Sequence, residues 1–298
     1  MRKAIYSLRG FKAAFAFARL MPRSVCQWLS AQIGLAAYRR SLQAQTSLHG
    51  NLSLVTHLTG AALDALCEQN VANFSRMLSD YFLCAGPDAV TQASALLSGH
   101  TGEENLAAAL ARGSGAIVVT AHLGHWELGA LMLARRGLPL TVVTLEEPTT
   151  ELTRWREACR RQLGIKTIMV GPGYPFSFVE MIQTLRRNEL LAMLVDRPYA
   201  DSGSPVKFFG GKSQFSTAPG LLAQHTGAAV LPAFVVQDGH GGYITMAEPL
   251  IPMALNGDSR ETLAINTQRV ASVFEAIIQR HPDQWFNYVP IFEDTDRE

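Results

Sequence analysis

Short apolar runs alternate with amphipathic stretches along the chain after residue 115. Short runs of β-branched and aliphatic residues are typical of buried strands, whereas apolar positions three or four apart are typical of helices. The pattern predicts strands over residues 116–120, 140–144, 166–170, 190–195 and 229–236. It predicts helices over residues 126–136, 149–163, 176–187, 217–226 and 260–280. This alternation indicates an α/β fold whose mostly parallel central sheet is flanked by helices.

The rest of the chain adds two expectations. Residues 41–115 carry apolar side chains at helical spacing, which predicts a helical region before the first strand. Residues 241–246 predict a strand that forms a hairpin with the preceding one. Because ligands of open α/β sheets bind beyond the carboxyl ends of the strands, functional residues are expected in the loops that follow strands.

The N-terminal segment is both apolar and basic. Arg9 and Lys12 interrupt its apolar run, so the pattern fits neither a secretory signal nor a membrane-spanning helix. At helical spacing these cations and Arg19 lie on one half of the helix, opposite the apolar half. This pattern predicts membrane-interacting helices over residues 1–45, followed by a second domain over residues 46–298. The alternative is that this amphipathic helix pair packs on the domain. The apolar half contains Leu8, Phe11, Ala14, Phe15, Phe17, Ala18 and Met21.

Charge is distributed unevenly along the 298 residues, although the formal net charge is only +1. No acidic residue precedes Asp64, and eight of the 26 basic residues lie before it, including Arg2 and Lys3, so the remainder holds 18 basic and 25 acidic residues. A basic segment of this kind favours an anionic membrane surface as partner. Neither a nucleic-acid motif nor a phosphate-binding glycine loop is present, and 48% hydrophobic residues exclude a disordered chain.

The four cysteines are widely separated and form no C-x-x-C pair. We therefore expect reduced, buried thiols in a protein that faces the cytosol, rather than disulfides or a zinc site. They are Cys26, Cys67, Cys84 and Cys159.

The loop after the first predicted strand concentrates polar residues. His122 and Glu127 are separated by four residues, so that the carboxylate at the start of the next helix can fold back onto the imidazole. A carboxylate bonded to one ring nitrogen fixes the tautomer and leaves the other nitrogen as a general base, which suits deprotonation of an alcohol that attacks an acyl carbonyl. His122, His125 and Glu127 also leave a metal site open as an alternative, although their spacing differs from H-E-x-x-H. A purely structural role is the third possibility.

These residues resemble the first signature of the glycerolipid-type acyltransferase superfamily. More specifically, an ordered series of segments resembles the branch that contains bacterial lipid A biosynthesis acyltransferases and phosphatidylinositol mannoside acyltransferases. Two departures are Pro198, where the branch often has a second Asp, and the absence of a basic segment after Trp285. The matching segments are the His122/Glu127 loop, 47–52, Arg160 with Gly164, 195–197, 203–210, 218–232 and 282–286.

The resemblance implies transfer of a fatty acyl group from an acyl carrier protein thioester or acyl-CoA to a hydroxyl of a membrane glycolipid, such as a lipid A precursor, without a bound cofactor. It implies His122 as the general base and Glu127 as the group that orients it. Backbone N–H groups around Gly124 or at the helix start at Trp126 are candidates for stabilising the oxyanion. The alternatives are a catalytically silent lipid-binding protein and a metal-dependent hydrolase.

The resemblance also implies a set of substrate-binding residues at the carboxyl edge of the sheet. Arg160 and Arg197 are expected to bind phosphate or carrier groups. Asp196 is expected to hold Arg160 or a sugar hydroxyl, and Glu146 is expected to line the same cleft. The implied location is the cytoplasmic face of the bacterial inner membrane.

Overall fold

A seven-stranded sheet lies at the centre of the computed structural model, which describes residues 8–85, 88–199, 203–256 and 260–293. Its strands follow the order β1-β9-β8-β2-β5-β3-β4, and every neighbouring pair is parallel except β8 with β9. The strands are β1 (Leu97–Thr101), β2 (Ala116–Thr120), β3 (Leu140–Thr144), β4 (Lys166–Met169), β5 (Leu190–Leu194), β8 (Ala229–Gln237) and β9 (Tyr243–Ala247); β6 (Gly203–Phe208) and β7 (Gly211–Ser216) form a separate hairpin.

Eleven α-helices flank the sheet in the described part of the chain. They are α1 (Leu8–Leu20), α2 (Arg23–Arg39), α3 (Leu42–Thr56), α4 (Gly60–Leu83), α5 (Ala89–Leu96), α6 (Glu103–Leu110), α7 (Trp126–Arg135), α8 (Thr150–Gln162), α9 (Ser177–Arg186), α10 (Ala218–Thr226) and α11 (Arg260–Arg280), and the turn Pro282–Gln284 follows as a short 3-10 helix. The predicted mostly parallel α/β fold is thus confirmed.

Three strands of the structure were missing from the prediction. β1 lies inside the region that was expected to be helical, and the β6–β7 hairpin was not predicted. The strand expected at residues 241–246 is present as β9 and pairs antiparallel with β8.

The central strand β2 is buried along its whole length, between β5 and β8. Ile117 and Val119 pack into the larger core on one face of the sheet, with side chains of α3, α4 and α9–α11. Val118 points to the other face and packs into the second core, with side chains of α6 and α7. This alternation follows from the two-residue period of a strand, and burial on both faces explains the continuously apolar sequence.

The apolar half of α1 faces the protein. Phe11 contacts Phe82 of α4 and Trp155 of α8, with ring centroids 5.3 and 6.0 Å apart, and Ala18 is buried. Arg9, Lys12 and Arg19 are exposed on the other half, as expected from the sequence, while Arg2 and Lys3 lie outside the described residues. The helix pair therefore packs on the domain, and the boundary at residue 45 stays a prediction.

Exposed apolar side chains are concentrated on α2 and its flanks. Trp28 and Ile33 are 64% and 58% exposed, and Leu20 before the helix and Leu42 after it are more exposed still. Within the described residues, each helix is either too short or too polar to span a bilayer. All four cysteines are free; three are buried and Cys159 is half-buried.

Candidate active site

His122 lies in the tight loop that joins β2 to α7, at the carboxyl edge of the sheet. The loop passes so close to β8 that a Cβ at Gly124, where φ is +59°, would lie 1.8 Å from the carbonyl oxygen of Val235. Only glycine fits this approach. His125 then begins α7, because its Nδ1 accepts a hydrogen bond from the N–H of Leu128 at 3.3 Å.

Asp196, not Glu127, contacts the imidazole of His122. Its Oδ1 lies 2.7 Å from His122 Nδ1, and the backbone N–H of His122 also donates to the carboxylate, at 3.1 and 3.2 Å. The contact exists because β2 and β5 are neighbours, so that the residues that follow their carboxyl ends meet. A short contact with a carboxylate assigns the proton to Nδ1 and leaves the lone pair on Nε2.

Glu127 is held by arginines of the next helix. Arg156 donates to Oε1 at 2.7 Å, and Arg160 forms an ion pair with the same carboxylate. Burial alone raises the pKa of Glu127, but the charges of Arg160 and Arg156 outweigh it and lower the pKa to about 2. The expected contact between Glu127 and His122 was therefore wrong, because two cations of α8 attract the carboxylate more strongly than a neutral imidazole does.

Asp196 is fully buried and its carboxylate is surrounded by donors. Trp285 Nε1 and Asn287 Nδ2 each donate to Oδ2 at 3.1 Å. Burial alone raises the pKa of Asp196, but His122, Arg197 and the Asn287 hydrogen bond together lower it below its usual range. The expectation that Asp196 holds Arg160 was wrong, since Arg160 pairs with Glu127.

Arg160 and Arg197, which were expected to bind phosphate or carrier groups, lie in two different environments. Arg160 is only 9% exposed and is neutralised by Glu127, so it presents no free guanidinium for a phosphate. Arg197 lies beside His122, with Nε 3.3 Å from Nδ1. Because Nδ1 donates to Asp196, this approach is a contact and not a second hydrogen bond. Burial lowers the pKa of Arg197 although Asp196 opposes the shift.

Glu146 does not line the cavity beside His122. Its side chain is exposed and accepts a hydrogen bond from Tyr174 Oη at 2.6 Å. The neighbouring Glu147 reaches the site region instead, through an ion pair with Arg156. The expectation that Glu146 lines the cleft beside His122 is therefore not met, and Glu147 does not line the cavity either.

A cavity of about 520 Å³ lies between α7 and the sheet, with His122 at its edge. It extends along α7 from Trp126 to Arg135, ten residues, which corresponds to about 15 Å. Its middle is lined by small and branched apolar side chains from both layers: Val118, Ala130, Leu133, Val142, Ala192, Leu231 and Ala233. The cavity is thus shaped for an elongated apolar group that ends next to an imidazole.

The metal alternative has little support in the geometry. Within the described residues, no group of three or more His, Cys, Asp or Glu side chains could hold a metal ion. His125 is buried as the cap of α7, and Glu127 is occupied by two arginines.

Two backbone groups that were candidates for an oxyanion site are already used. Gly124 N–H donates to the carbonyl of Gln284 at 2.9 Å, and His125 N–H donates to that of Val235 at 2.7 Å. They hold the loop in place and cannot turn toward a substrate. The start of α7 at Trp126 is the remaining candidate.

The family model described as bacterial lipid A biosynthesis acyltransferase matches residues 5–292. The chain belongs to this family. The resemblance found in the sequence is thereby confirmed.

Among curated relatives, phosphatidylinositol mannoside acyltransferases of Mycobacterium tuberculosis, strains CDC 1551 / Oshkosh and ATCC 25618 / H37Rv, are each 30% identical over 190 residues. That alignment covers 63% of this chain and 58% of each relative. A protein of the same description from Mycolicibacterium smegmatis is 26% identical over 289 residues, or 94% of this chain and 90% of the relative. The chain thus matches little more than half the length of the tuberculosis proteins.

Sequence reasoning missed the groups that surround Asp196 and Glu127, namely Trp285, Asn287 and Arg156. One signal was present: Asp196 follows one strand as His122 follows another. Placing the two together requires knowing that β2 and β5 are adjacent, although two strands separate them in sequence. Trp285 belongs to the matching segment 282–286, but its contact with Asp196, like that of Asn287, joins residues almost ninety positions apart, and the local sequence does not show it.

Proposed function

We propose that this chain is an acyltransferase that moves a fatty acyl group from a carrier thioester to a hydroxyl of a membrane glycolipid. The observation that carries the proposal is the carboxylate-bonded imidazole of His122 at the edge of an elongated apolar cavity. Family membership supports the reaction class. The relatives are described as phosphatidylinositol mannoside acyltransferases, which supports a glycolipid as acceptor.

In this mechanism Nε2 of His122 removes the proton from the acceptor hydroxyl. The oxygen attacks the thioester carbonyl carbon, the new C–O bond forms, and the carbonyl oxygen carries the negative charge. When the C–S bond breaks, the thiolate leaves with its electron pair and takes the proton back from the imidazolium. Asp196, bonded to Nδ1, stabilises the imidazolium and holds the ring in the required tautomer.

The apolar cavity accommodates the acyl chain, which places the thioester carbonyl at the His122 end. Burial of methylene groups there stabilises the donor by about 0.8 kcal/mol each. The positive end of the α7 dipole, at Trp126, lies beside His122 and suits the developing oxyanion. Glu127 acts indirectly, because it fixes Arg156 and Arg160 at the same end of the cavity.

The acceptor determines where the reaction takes place. We propose that the reaction takes place at the cytoplasmic face of the bacterial inner membrane, where carrier thioesters and glycolipid precursors meet. The exposed apolar side chains of α2 and the cations of α1 supply the contact with anionic lipid. Lipid A precursors and phosphatidylinositol mannosides are the two acceptor classes that the family and the relatives suggest.

The test is incubation of the purified chain with labelled acyl carrier protein thioester or labelled acyl-CoA and total membrane lipid. Mass spectrometry then identifies the labelled product. We expect one glycolipid to gain an acyl group, and we expect His122→Ala to lower the rate by about 100- to 10,000-fold, which is the usual contribution of a general base.

His225→Ala is the matched control, because His225 is exposed and lies away from the cavity lining. Its rate should equal that of the unmodified chain. Vesicle binding without any consumption of acyl thioester would instead support a silent lipid-binding protein. Activity that is retained in His122→Ala would exclude the proposed mechanism.

A further inference from the structure

The segment from Pro282 to Phe292 is anchored to the domain although most of it forms neither helix nor strand, and residues 284–287 are buried. Two buried asparagines bind its backbone. Asn51 Nδ2 donates to the carbonyls of residues 287 and 289 at 2.9 and 2.8 Å, and its Oδ1 accepts from the N–H of residue 291 at 3.1 Å. Asn70 Nδ2 donates to the carbonyls of residues 282 and 285 at 3.1 and 2.9 Å. We call residues 282–292 the C-terminal strap.

The strap is also bonded to the loop that carries His122. The N–H of Phe286 donates to the carbonyl of His122 at 2.7 Å, and Gly124 N–H donates to the carbonyl of Gln284 at 2.9 Å. The backbone of the strap and the backbone of the loop that carries His122 are therefore joined by two hydrogen bonds.

Two strap side chains point at Asp196. Trp285 Nε1 and Asn287 Nδ2 both donate to Oδ2, whereas Oδ1 contacts His122 Nδ1. Trp285, Asn287 and Asp196 are all 0% exposed, so water does not compete for these bonds. With Oδ2 occupied by the strap, the carboxylate has one orientation in which Oδ1 faces the imidazole.

Asn287 retains an unsatisfied atom. Its Oδ1 is buried and has no hydrogen-bond partner among the described residues. Turning the amide over would give Oδ1 no better environment, since it would then face the carboxylate of Asp196. Asp196 thus dictates the amide orientation, and a polar conflict of this kind is typical of functional sites.

We propose that Trp285 and Asn287 are positioning residues for the His122 base. They hold the rotation of the Asp196 carboxylate, so that the imidazole is aligned. This inference rests on the proposed function for its kinetic consequences. The structural part of the proposal is that the strap controls the His122–Asp196 hydrogen bond. This part does not depend on which reaction the protein catalyses.

Trp285→Phe is the most direct test, because it removes one N–H and keeps an aromatic ring in place. We expect kcat to fall about 10-fold with little change in KM for the acyl donor, as for other groups that orient a catalytic side chain. A carboxylate with one donor fewer attracts the imidazole proton more strongly. The pH profile of kcat/KM should therefore differ from that of the unmodified chain.

Tyr288→Phe is the matched control in the same strap. The hydroxyl of Tyr288 donates to Asn70 Oδ1 at 3.1 Å. Its removal tests the effect of weakening the strap alone. We expect its pH profile to coincide with that of the unmodified chain.

Proton NMR gives a readout that needs no activity. The Nδ1–H resonance of His122, assigned by its absence in His122→Ala, should shift in Trp285→Phe and stay in place in Tyr288→Phe. If Trp285→Phe does not fold, Asn287→Leu removes the other donor and is expected to give the same shift. Equal spectra and equal pH profiles in all folded variants would overturn the proposal. A shifted resonance in a chain without acyl transfer would refute the proposed function alone.

Discussion

His122 and His125 are three residues apart in one loop, yet their environments are opposite. His122 has a carboxylate on one nitrogen and lies at the edge of a cavity. His125 is 1% exposed and caps α7, and its Nε2 has no hydrogen-bond partner among the described residues. Burial lowers the pKa of His125 from 6.5 to about 4, so it is neutral in the folded protein at pH 7.

We predict that His125 makes stability depend on pH. Between its unfolded pKa of 6.5 and its folded pKa of about 4, the unfolded chain binds a proton that the folded chain does not. The free energy of unfolding should therefore fall as the pH drops through this window, by about 3 kcal/mol from this residue. Urea unfolding at pH 7 and pH 4.5 measures the change.

His125→Asn is the control for this prediction. Asparagine preserves the cap on α7, because its side-chain oxygen accepts from the same N–H, and it does not titrate. The variant should lose less stability between the two pH values than the unmodified chain. Identical losses in both proteins would show that His125 is not the responsible group.

At the scale of elements, an ion-pair cluster ties α7 to α8. Glu127 of α7 pairs with Arg156 and Arg160 of α8, and Glu147, in the loop before α8, pairs with Arg156. These side chains are no more than 20% exposed. The charges balance within the cluster, and Glu127 is the carboxylate that pairs with both arginines.

Glu127→Ala should therefore weaken the fold as well as the reaction. It removes the carboxylate that both mostly buried guanidinium groups contact, and loss of one member of a buried ion pair destabilises by about 3–5 kcal/mol. Glu147→Ala is the matched variant, since Arg156 then still pairs with Glu127, and it should destabilise by about 1 kcal/mol. The measurement is urea unfolding at pH 7. Equal losses of stability in the two variants would contradict the prediction that Glu127 contributes more than Glu147 to the cluster.

Elements with strong local patterns could be predicted from the sequence. β2 and β3 have the expected bounds and α11 matches residue for residue, because continuous aliphatic runs and a long 3.6-residue period are unambiguous. β1 was missed because its sequence, Leu-Ser-Gly-His-Thr, has no alternation and its strand lies at the sheet edge. The β6–β7 hairpin was missed because its turn is Phe209-Gly210, and a phenylalanine at positive φ does not signal a turn.

Part of the candidate site could also be predicted from the local sequence. His122 and Asp196 could be selected because each follows a strand, where ligands of α/β sheets bind. Their contact could not be predicted, because it depends on which strands are neighbours. The expected partner Glu127 was close in sequence, but short-range proximity was outweighed by two arginines on another helix.

At the scale of the whole molecule, the uneven distribution of charge along the sequence corresponds to one surface of the structure. The basic first segment forms α1 and α2, whose exposed surface combines Arg9, Lys12 and Arg19 with the apolar side chains Trp28 and Ile33. The apolar half of α1 is used for packing on α4 and α8, so α2 supplies the outward apolar surface. Membrane contact, in our proposal, therefore involves cations from one helix and apolar groups from the next.

Substitution of Trp28 and Ile33 by serine should release the chain from vesicles that contain anionic lipid. Each side chain contributes about 1.5–3 kcal/mol when it leaves water, and 1.4 kcal/mol corresponds to a tenfold change in affinity. Binding of the double variant should fall at least about 100-fold in a vesicle sedimentation assay. Added salt should weaken binding of the unmodified chain too, because the exposed cations of α1 act through a screened potential.

Ile265→Ser is the control that distinguishes loss of this surface from loss of any exposed apolar side chain. Ile265 is 44% exposed on α11, outside the N-terminal helices, and its loss should leave vesicle binding unchanged. Acyl transfer to a water-soluble acceptor analogue should also be retained in the Trp28→Ser/Ile33→Ser variant, since neither side chain lines the cavity. A variant that binds vesicles normally but loses transfer would place the membrane contact elsewhere and assign α2 to the fold of the site.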